Sequence, residues 1–164
     1  MILHIRLLWL QRKVLFNMIY SEEVRDLFSV PEDFYLAHCI SADFGMGKGI
    51  VVEFNKRFNM KHTLQTKYPD FLNQWSHHNW MYQCILEDRV FNLITKERYF
   101  HKPTYDSMYG ALLTMRHIAE QHEIKKIAMP TIGCGLDRLN WDIVKYYIKR
   151  IFEDTDIEIL VCKQ

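Results

Sequence analysis

The sequence lacks the cysteine pattern of a disulfide-bonded or zinc-binding protein. Its 164 residues include four cysteines, and no two of them form a C-x-x-C pair: Cys39, Cys84, Cys134 and Cys162. Three of the four lie in apolar segments typical of strands, where a thiol packs as a small hydrophobic group. We therefore expect reduced thiols in an intracellular protein, in the cytoplasm, the nucleus or both.

An excess of charge of either sign is also missing. Lys and Arg number 21 and Asp and Glu number 20, which gives a net charge of +1. Arg6, Arg12 and Lys13 precede the first acidic residue, Glu22, so residues 21–164 carry 18 basic residues (21 − 3) against 20 acidic ones, or −2. A nearly neutral domain argues against a direct nucleic-acid partner.

No internal repeat, low-complexity tract or linker divides the chain. Its length, with 49% hydrophobic and 14% aromatic residues, suffices for one domain with a buried core. We therefore predict a single globular domain, monomeric and without a membrane partner.

The first seventeen residues contain no acidic residue and are rich in apolar ones. They are too short to span a membrane, and a secretory signal would place its charge before the apolar run and end in small residues. A mitochondrial presequence is an alternative, because the segment is basic, although it is poor in serine. We favour an N-terminal extension of uncertain role over residues 1–17, as an added strand or an upstream addition, and a domain over residues 18–164.

Apolar residues along the chain alternate between the period of a strand and that of a helix. Strands are predicted at residues 18–24, 34–41, 124–130 and 156–162, and a hairpin that turns near Asp88 at residues 80–95. Helices are predicted from Ile50, after a cap at Thr104, and over residues 140–152. The order indicates an α/β protein with a mixed sheet covered on both faces.

Glycine is scarce, yet five of the six glycines lie in two short turns. Residues 45–49 and 133–135 each follow an apolar strand and precede a helix. Without a Cβ atom the backbone amides of such turns approach a ligand closely, and the helix start adds a positive dipole end. Because ligands of α/β folds bind at the carboxyl ends of the strands, the turns fit a phosphate or diphosphate. The alternative is that these glycines only permit tight turns and close helix packing.

Three longer motifs make the pattern specific. They are "LAHCISADFGMGKGIVVEFNKRF", "LITKERYFHKPTY" and "MPTIGCGLDRLNW", in this order and spacing. From about Met18 to the end, the chain resembles a macrodomain, most closely the terminal ADP-ribose glycohydrolases, also known as O-acyl-ADP-ribose deacylases. The resemblance implies a three-layer α/β/α sandwich with a mixed central sheet. It also implies a cleft for ADP-ribose and for proteins that carry it.

The resemblance assigns binding residues along this cleft. Asp26 matches the aspartate that accepts a hydrogen bond from the adenine amino group, although Arg25 stands where the family usually has glycine. Ser41 and residues 45–49 match the segment along the diphosphate and the distal ribose, and residues 132–136 match the second phosphate loop. The implied ADP-ribose-binding residues are Asp26, Leu27, Ser41, Gly45, Met46, Gly47, Gly49, Thr131, Ile132, Gly133, Cys134, Gly135 and Leu136.

The resemblance also assigns two catalytic residues, Lys96 and Asp137. Cleaving an ester between a carboxylate and C1″ of ADP-ribose requires attack at an anomeric carbon and proton transfer to the leaving oxygen. A lysine amine can act as the nucleophile when its surroundings favour the neutral form, and a nearby carboxylate can carry the proton. The implied activity is hydrolysis of ADP-ribose from glutamate or aspartate side chains, together with deacylation of O-acyl-ADP-ribose.

Two other functions stay open at this point. A macrodomain phosphatase acting on ADP-ribose 1″-phosphate would favour His38 as its base, although a histidine in an apolar strand is more often part of the core. A non-catalytic module that binds ADP-ribosylated partners would have no use for Lys96 and Asp137. No cofactor or metal is expected, because His77, His78 and Cys84 lack zinc spacing.

Overall fold

The computed structural model describes residues 18–75 and 83–164. The extension predicted for residues 1–17, and with it the domain boundary at Met18, lies outside this part of the chain and stays a prediction. The strands, β1 to β6 in chain order, are Ile19–Val24, Tyr35–Ser41, Cys84–Glu87, Val90–Lys96, Lys126–Met129 and Glu158–Lys163. The α-helices, α1 to α5, are Val51–Phe58, Met60–Lys67, Phe71–Gln74, Tyr105–Gln121 and Trp141–Phe152, and a short 3-10 helix is Leu27–Ser29.

The strands form one mixed sheet in the order β1-β6-β5-β2-β4-β3. All neighbouring strands are parallel except β3 and β4, which form the predicted antiparallel hairpin. Asp88 turns this hairpin in the left-handed backbone region, with φ 56°, which an aspartate tolerates better than most residues. The apolar strand β2 lies in the interior of the sheet, between β5 and β4.

Helices cover both faces of the sheet, so the predicted α/β/α sandwich is confirmed. Helices α4 and α5 pack on one face around buried residues such as Met115 and Ile148. The 3-10 helix and α1 to α3 pack on the other face, around Phe54, Met60 and Leu64. The side chains of alternate strand residues enter the two cores in turn.

Local sequence signals explain the two long helices. Thr104 caps α4 through a capping box with Ser107, as predicted for this threonine, and Asn140 caps α5 by accepting a hydrogen bond from the Asp142 amide. The sequence pattern did not indicate α2 and α3, because Asn59 adopts a left-handed conformation (φ 49°) that breaks the helical period after α1. No helix in the two described stretches is both long enough and apolar enough to cross a lipid bilayer.

A carboxylate on the edge strand β1 fixes the start of α5. Glu22 accepts hydrogen bonds from the Trp141 indole at 2.9 Å, the Tyr20 hydroxyl at 3.0 Å and the Lys145 ammonium at 3.2 Å. Burial alone would raise the pKa of Glu22, but these donors outweigh it and lower the pKa to about 2. The contact ties β1, and the turn that follows it, to the helix beside the cleft.

Candidate active site

The first glycine loop, residues 41–49, leaves the carboxyl end of β2 and is fastened by one carboxylate. Asp43 accepts hydrogen bonds from the Ser41 hydroxyl at 2.5 Å, the Gly45 amide at 3.1 Å and the Tyr99 amide at 3.1 Å. Burial alone would raise the pKa of Asp43, but these hydrogen bonds outweigh it and lower the pKa. Asp43 therefore ties this loop to the segment that follows β4.

The three glycines of this loop have different surroundings. A Cβ on Gly45 would lie 2.8 Å from Cβ of Tyr99, so a side chain does not fit there. Gly49 adopts φ 75°, and a Cβ there would lie 3.4 Å from the Leu136 side chain. A Cβ on Gly47 would meet no described atom within 4 Å. Gly47 thus leaves room beside the loop, whereas the other two are needed to build it.

The second glycine loop, residues 131–139, connects β5 to the start of α5. Gly133 has φ 73°, and a Cβ there would lie 2.6 Å from Cε of Met108 and 3.0 Å from Cδ1 of Leu139. The Leu139 amide donates to the Gly133 carbonyl at 2.8 Å and closes the turn. A Cβ on Gly135 would meet no described atom within 4 Å. This loop, like the first, leaves open space beside one of its glycines.

Backbone amides of the second loop are available to a ligand. Within residues 18–75 and 83–164, the amides of Gly135, Leu136 and Asp137 have no hydrogen-bond acceptor. They lie just before α5, whose twelve residues add a positive dipole end. Free amides at a helix start bind anions such as phosphate, which is the ligand that the sequence pattern predicted for this loop.

Lys96 and Asp137 form an ion pair between the two glycine loops. The Lys96 ammonium donates to Oδ1 of Asp137 at 2.7 Å, and the side chains are 14% and 16% exposed. Lys96 is the last residue of β4, and its carbonyl accepts the Ala42 amide of the first loop at 2.9 Å. Asp137 belongs to the second loop. Two residues that are far apart in the sequence thus lie together, as the catalytic role predicted for the pair would require.

A further contact joins the two sides of this pair. The Lys102 ammonium donates to the Leu136 carbonyl at 2.6 Å. It links the segment after β4, residues 97–103, to the residue before Asp137. Hydrogen bonds therefore fasten the backbone at Lys96 and next to Asp137, which limits the movement of the two side chains.

The turn after β1 holds the residue assigned to adenine. Oδ1 of Asp26 accepts the Phe28 amide at 3.0 Å and caps the 3-10 helix. Arg25 turns away from Asp26, since its guanidinium pairs with Glu23 at 3.2 Å and donates to Ser29 at 3.1 and 3.3 Å. The arginine that replaces the family glycine is therefore engaged in local contacts, and one Asp26 oxygen stays available.

Several assigned binding residues turn their side chains into the core. Leu27, Met46 and Ile132 are only 4%, 6% and 2% exposed, so they can meet a ligand only through the backbone. Thr131 is partly exposed, whereas Leu136 is 60% exposed. The loops therefore offer mainly backbone groups, and the side chains set the shape of the loops.

His38 lies inside the protein and not in the cleft. It is fully buried, stacks on Phe54 with ring centroids 3.8 Å apart, and has Nε2 2.6 Å from Oδ1 of Asn92. Because the Asn92 amide nitrogen donates to the carbonyls of Ile85 and Val90, its oxygen is left to accept, so Nε2 of His38 carries the hydrogen. Burial lowers the pKa of His38 to about 4, and Nδ1 has no hydrogen-bond partner among the residues that the structure describes.

The four cysteines are free thiols. Burial raises the pKa of Cys134 to about 11 and also raises the pKa values of Cys39, Cys84 and Cys162. A thiol with a raised pKa is a poor nucleophile near neutral pH. Cys134, which donates to the Ile132 carbonyl at 3.2 Å, therefore acts as a spacer in its loop.

Metal ligands are not clustered in the part of the chain that the structure describes. No group of three His, Cys, Asp or Glu side chains there could hold an ion. Cys84 is buried in β3, whereas His77 and His78 lie outside the described residues.

Asp43 and Lys102 are the site residues that sequence reasoning missed. Each acts on the backbone of another segment, at Tyr99 and Leu136 respectively. The pattern Ser-x-Asp in residues 41–43 is a signal for Asp43, because short polar side chains often hydrogen-bond a nearby backbone amide in a turn. No comparable local signal marks Lys102.

Comparison with known proteins bears on the family and the fold. No protein-family model matches the chain. The chain is 41% identical over 137 residues to ADP-ribose glycohydrolase OARD1 of Homo sapiens, which covers 83% of this chain and 86% of that protein. The macrodomain of Thermus aquaticus DarG superposes with a TM-score of 0.76 at 20% identity, over 90% of this chain and 100% of that one. The chain belongs to the macrodomain family.

A second solved structure carries the ligand that the motifs implied. Thermosipho africanus DarTG, solved in complex with ADP-ribose, matches this macrodomain with a TM-score of 0.69 and 19% identity, over 89% of this chain and 42% of that one. At this identity the match concerns the fold. The family that the three motifs predicted, and its sandwich architecture, are thus confirmed for this macrodomain.

Proposed function

We propose that this macrodomain is a hydrolase that binds ADP-ribose and releases it from glutamate and aspartate side chains. We extend the proposal to deacylation of O-acyl-ADP-ribose, because both substrates join an acyl oxygen to the distal ribose. The proposal is supported by the Homo sapiens relative, an ADP-ribose glycohydrolase by name. The observation that carries it is the Lys96–Asp137 ion pair at 2.7 Å between two glycine loops.

The two loops have separate tasks in this proposal. The unpartnered amides of the second loop and the space beside Gly47 and Gly135 receive the diphosphate. Asp26 accepts from adenine at the far end of the cleft. ADP-ribose held at both ends brings C1″ to the ion pair, and such positioning lowers the barrier before any bond changes.

The ion pair supplies the nucleophile and the proton. When Lys96 passes a proton to Asp137, the neutral amine attacks C1″ and the bond from C1″ to the ester oxygen breaks. The electron pair of that bond leaves with the carboxylate of the target protein, which takes one proton from the new ammonium at C1″. The protonated Asp137 acts as the general acid and gives its proton to the ring oxygen as the sugar opens, which leaves a protonated imine at Lys96. Water then adds to the imine carbon and releases free ADP-ribose and the lysine.

The two alternative functions have less support. His38, the best candidate base for a phosphatase, is fully buried on Phe54 and has no access to the cleft. A module that only binds ADP-ribose has no need for a partly buried lysine beside a carboxylate. A direct assay separates the three: glutamate-linked ADP-ribosylated peptide and ADP-ribose 1″-phosphate are offered, and consumption of the first alone is expected.

The lysine mechanism has its own test. Incubation with ADP-ribose and a mild hydride reductant should trap the imine, and mass spectrometry should locate the adduct on Lys96. The exposed lysines Lys48 and Lys102 are internal controls. An adduct on either of them, or full activity in Lys96→Ala, would replace the lysine mechanism with one in which Asp137 activates a water.

A further inference from the structure

The segment that follows Lys96 presents two aromatic side chains to solvent. Tyr99 and Phe100 are each 65% exposed, and their rings meet edge to face with centroids 5.3 Å apart. The Phe100 ring also meets His101 at 4.7 Å. Single exposed aromatics are common on proteins, but a cluster beside a cleft is typical of a binding surface.

This segment is held in a fixed shape. The Tyr99 amide donates to Asp43 at 3.1 Å, the His101 amide donates to the Arg98 carbonyl at 3.0 Å, and Lys102 is tied to the opposite loop. The aromatic rings therefore project from an ordered backbone. A surface that is already ordered loses less entropy when a partner docks.

The charges beside these rings are mostly positive. We call Arg98, Tyr99, Phe100 and Lys102 the aromatic rim, and its two basic residues are exposed. The glycine loops on the other sides of the ion pair add exposed Lys48 and Arg138. Against these four basic residues, Glu97 is the exposed acid of residues 97–103. Such a surface complements an acidic partner.

We propose that the aromatic rim docks the polypeptide that carries the ADP-ribosylated residue, and that it favours acidic segments. This inference rests on the proposed function. The bond to be cleaved must lie at Lys96 and Asp137, so the target polypeptide leaves the cleft beside that pair. The rim begins two residues after Lys96, where acidic residues flanking the modified glutamate meet Arg98 and Lys102 while apolar ones cover Phe100.

Two substrates that differ in the polypeptide test this inference. One is an acidic peptide with ADP-ribose on a glutamate, and the other is O-acetyl-ADP-ribose, which has no polypeptide. Phe100→Ala and Arg98→Gln should each lower kcat/KM for the peptide by about tenfold, or about 1.4 kcal/mol, and change it less than about twofold for O-acetyl-ADP-ribose. Tyr146→Ala, at a 62% exposed tyrosine on α5, is the matched control and should leave both values unchanged.

Binding gives a readout that does not depend on turnover. In the Lys96→Ala background, the ADP-ribosylated acidic peptide should bind about tenfold more tightly than free ADP-ribose. Adding Phe100→Ala should remove the difference, measured by calorimetry. If the peptide and ADP-ribose bind equally well before that change, the docking proposal is wrong even where hydrolysis is observed. If no hydrolysis occurs but the peptide binds more tightly, the proposed function fails and the docking surface stands.

Other results would also overturn the proposal. An equal loss of kcat/KM for both substrates would mean that Phe100 and Arg98 act on ADP-ribose itself. No loss for either substrate would mean that the rim contacts nothing. A peptide with basic flanks that is cleaved as well as the acidic one would remove the charge preference. If Phe100→Ala lowers kcat/KM for a long-chain acyl ester of ADP-ribose more than for the peptide, the rim binds the acyl chain instead.

Discussion

The two glycine loops use the same residue type for two different purposes. In each loop one glycine, Gly45 or Gly133, is crowded by protein atoms, and another, Gly47 or Gly135, borders open space. The crowded glycines are required for the loop to close. No contact within residues 18–75 and 83–164 requires the open glycines, which is what we expect of positions that face a ligand.

The carboxylates of the two loops differ in the same way. Asp43 accepts three hydrogen bonds from its surroundings, whereas Asp137 accepts one, from Lys96, within residues 18–75 and 83–164. A carboxylate has about four acceptor positions, so most of those of Asp43 are occupied and most of those of Asp137 are open. One loop is therefore built around its carboxylate, and the other leaves its carboxylate able to accept further hydrogen bonds.

The largest effect should follow removal of the partner of Asp137. We expect Lys96→Ala to lower hydrolysis by a factor of about 10³ or more, or about 4 kcal/mol in the barrier, while ADP-ribose still binds. Asp137→Ala should also lose turnover, through loss of the proton carrier. Lys125→Ala, on an exposed lysine paired with Asp156, is the control. Steady-state rates and calorimetric affinities check this, and a parallel loss of affinity would show that the pair binds substrate instead of reacting with it.

A valine at each glycine of the second loop should separate its two roles. Gly133→Val meets Met108 in a left-handed backbone, so we expect the free energy of unfolding to fall by about 2–4 kcal/mol. Gly135→Val should keep the melting temperature but weaken ADP-ribose binding about tenfold or more. Thermal melts measure the stability of both variants, and calorimetry measures their affinity for ADP-ribose. Equal melting temperatures, or unchanged affinity for Gly135→Val, would contradict the division between the two glycines.

The carboxylate of the first loop should matter for stability and its pH dependence. Asp43→Ala should lower the free energy of unfolding by about 1–3 kcal/mol at neutral pH. The folded-state pKa of Asp43 is lowered, so its contribution is present above the unfolded pKa near 4 and is lost as pH falls through the folded value. Urea unfolding between about pH 2 and 7 should show a difference from the parent that shrinks toward low pH. A constant difference would assign the effect to packing.

The smallest effects should come from alanine in the first loop. Gly45→Ala places a Cβ 2.8 Å from that of Tyr99, and we expect a loss of about 1–2 kcal/mol in the free energy of unfolding. Gly47→Ala meets no described atom and should change stability by less than about 1 kcal/mol, with a gain more expected than a loss. Melting temperatures of the two variants, measured side by side, check this prediction. A lower melting temperature for Gly47→Ala than for Gly45→Ala would contradict it.

The sequence predicts the fold because strand and helix periods are local signals. The strand at residues 34–41, the hairpin at Asp88 and the cap at Thr104 each depend on neighbouring residues, and all three are confirmed. Helices α2 and α3 escaped prediction because Asn59 interrupts the period in a way that only the folded backbone shows.

The pairing within the site was predictable only through family resemblance. Lys96 and Asp137 are brought together by the sheet order, which no local pattern contains. The difference between Gly45 and Gly47 could not be predicted either, because it depends on Tyr99, which lies in a distant segment. Asp43 escaped prediction for the same reason, because its role depends on the hydrogen bond that it accepts from the Tyr99 amide.

The pairing of β1 with β6 has a consequence for how the protein folds. Residues 19–24 pair only with residues 158–163 among the described strands, so the other described strands are all made before β1 has a neighbour. Closing so long a loop is slow. The strands β2, β4 and β5, which carry Lys96 and lead to Asp137, can meet earlier during synthesis. We therefore expect the turn at Asp26 to become ordered after the strands around the ion pair, so that a chain whose strand β6 is still in the ribosome forms the Lys96 end of its cleft before the Asp26 end.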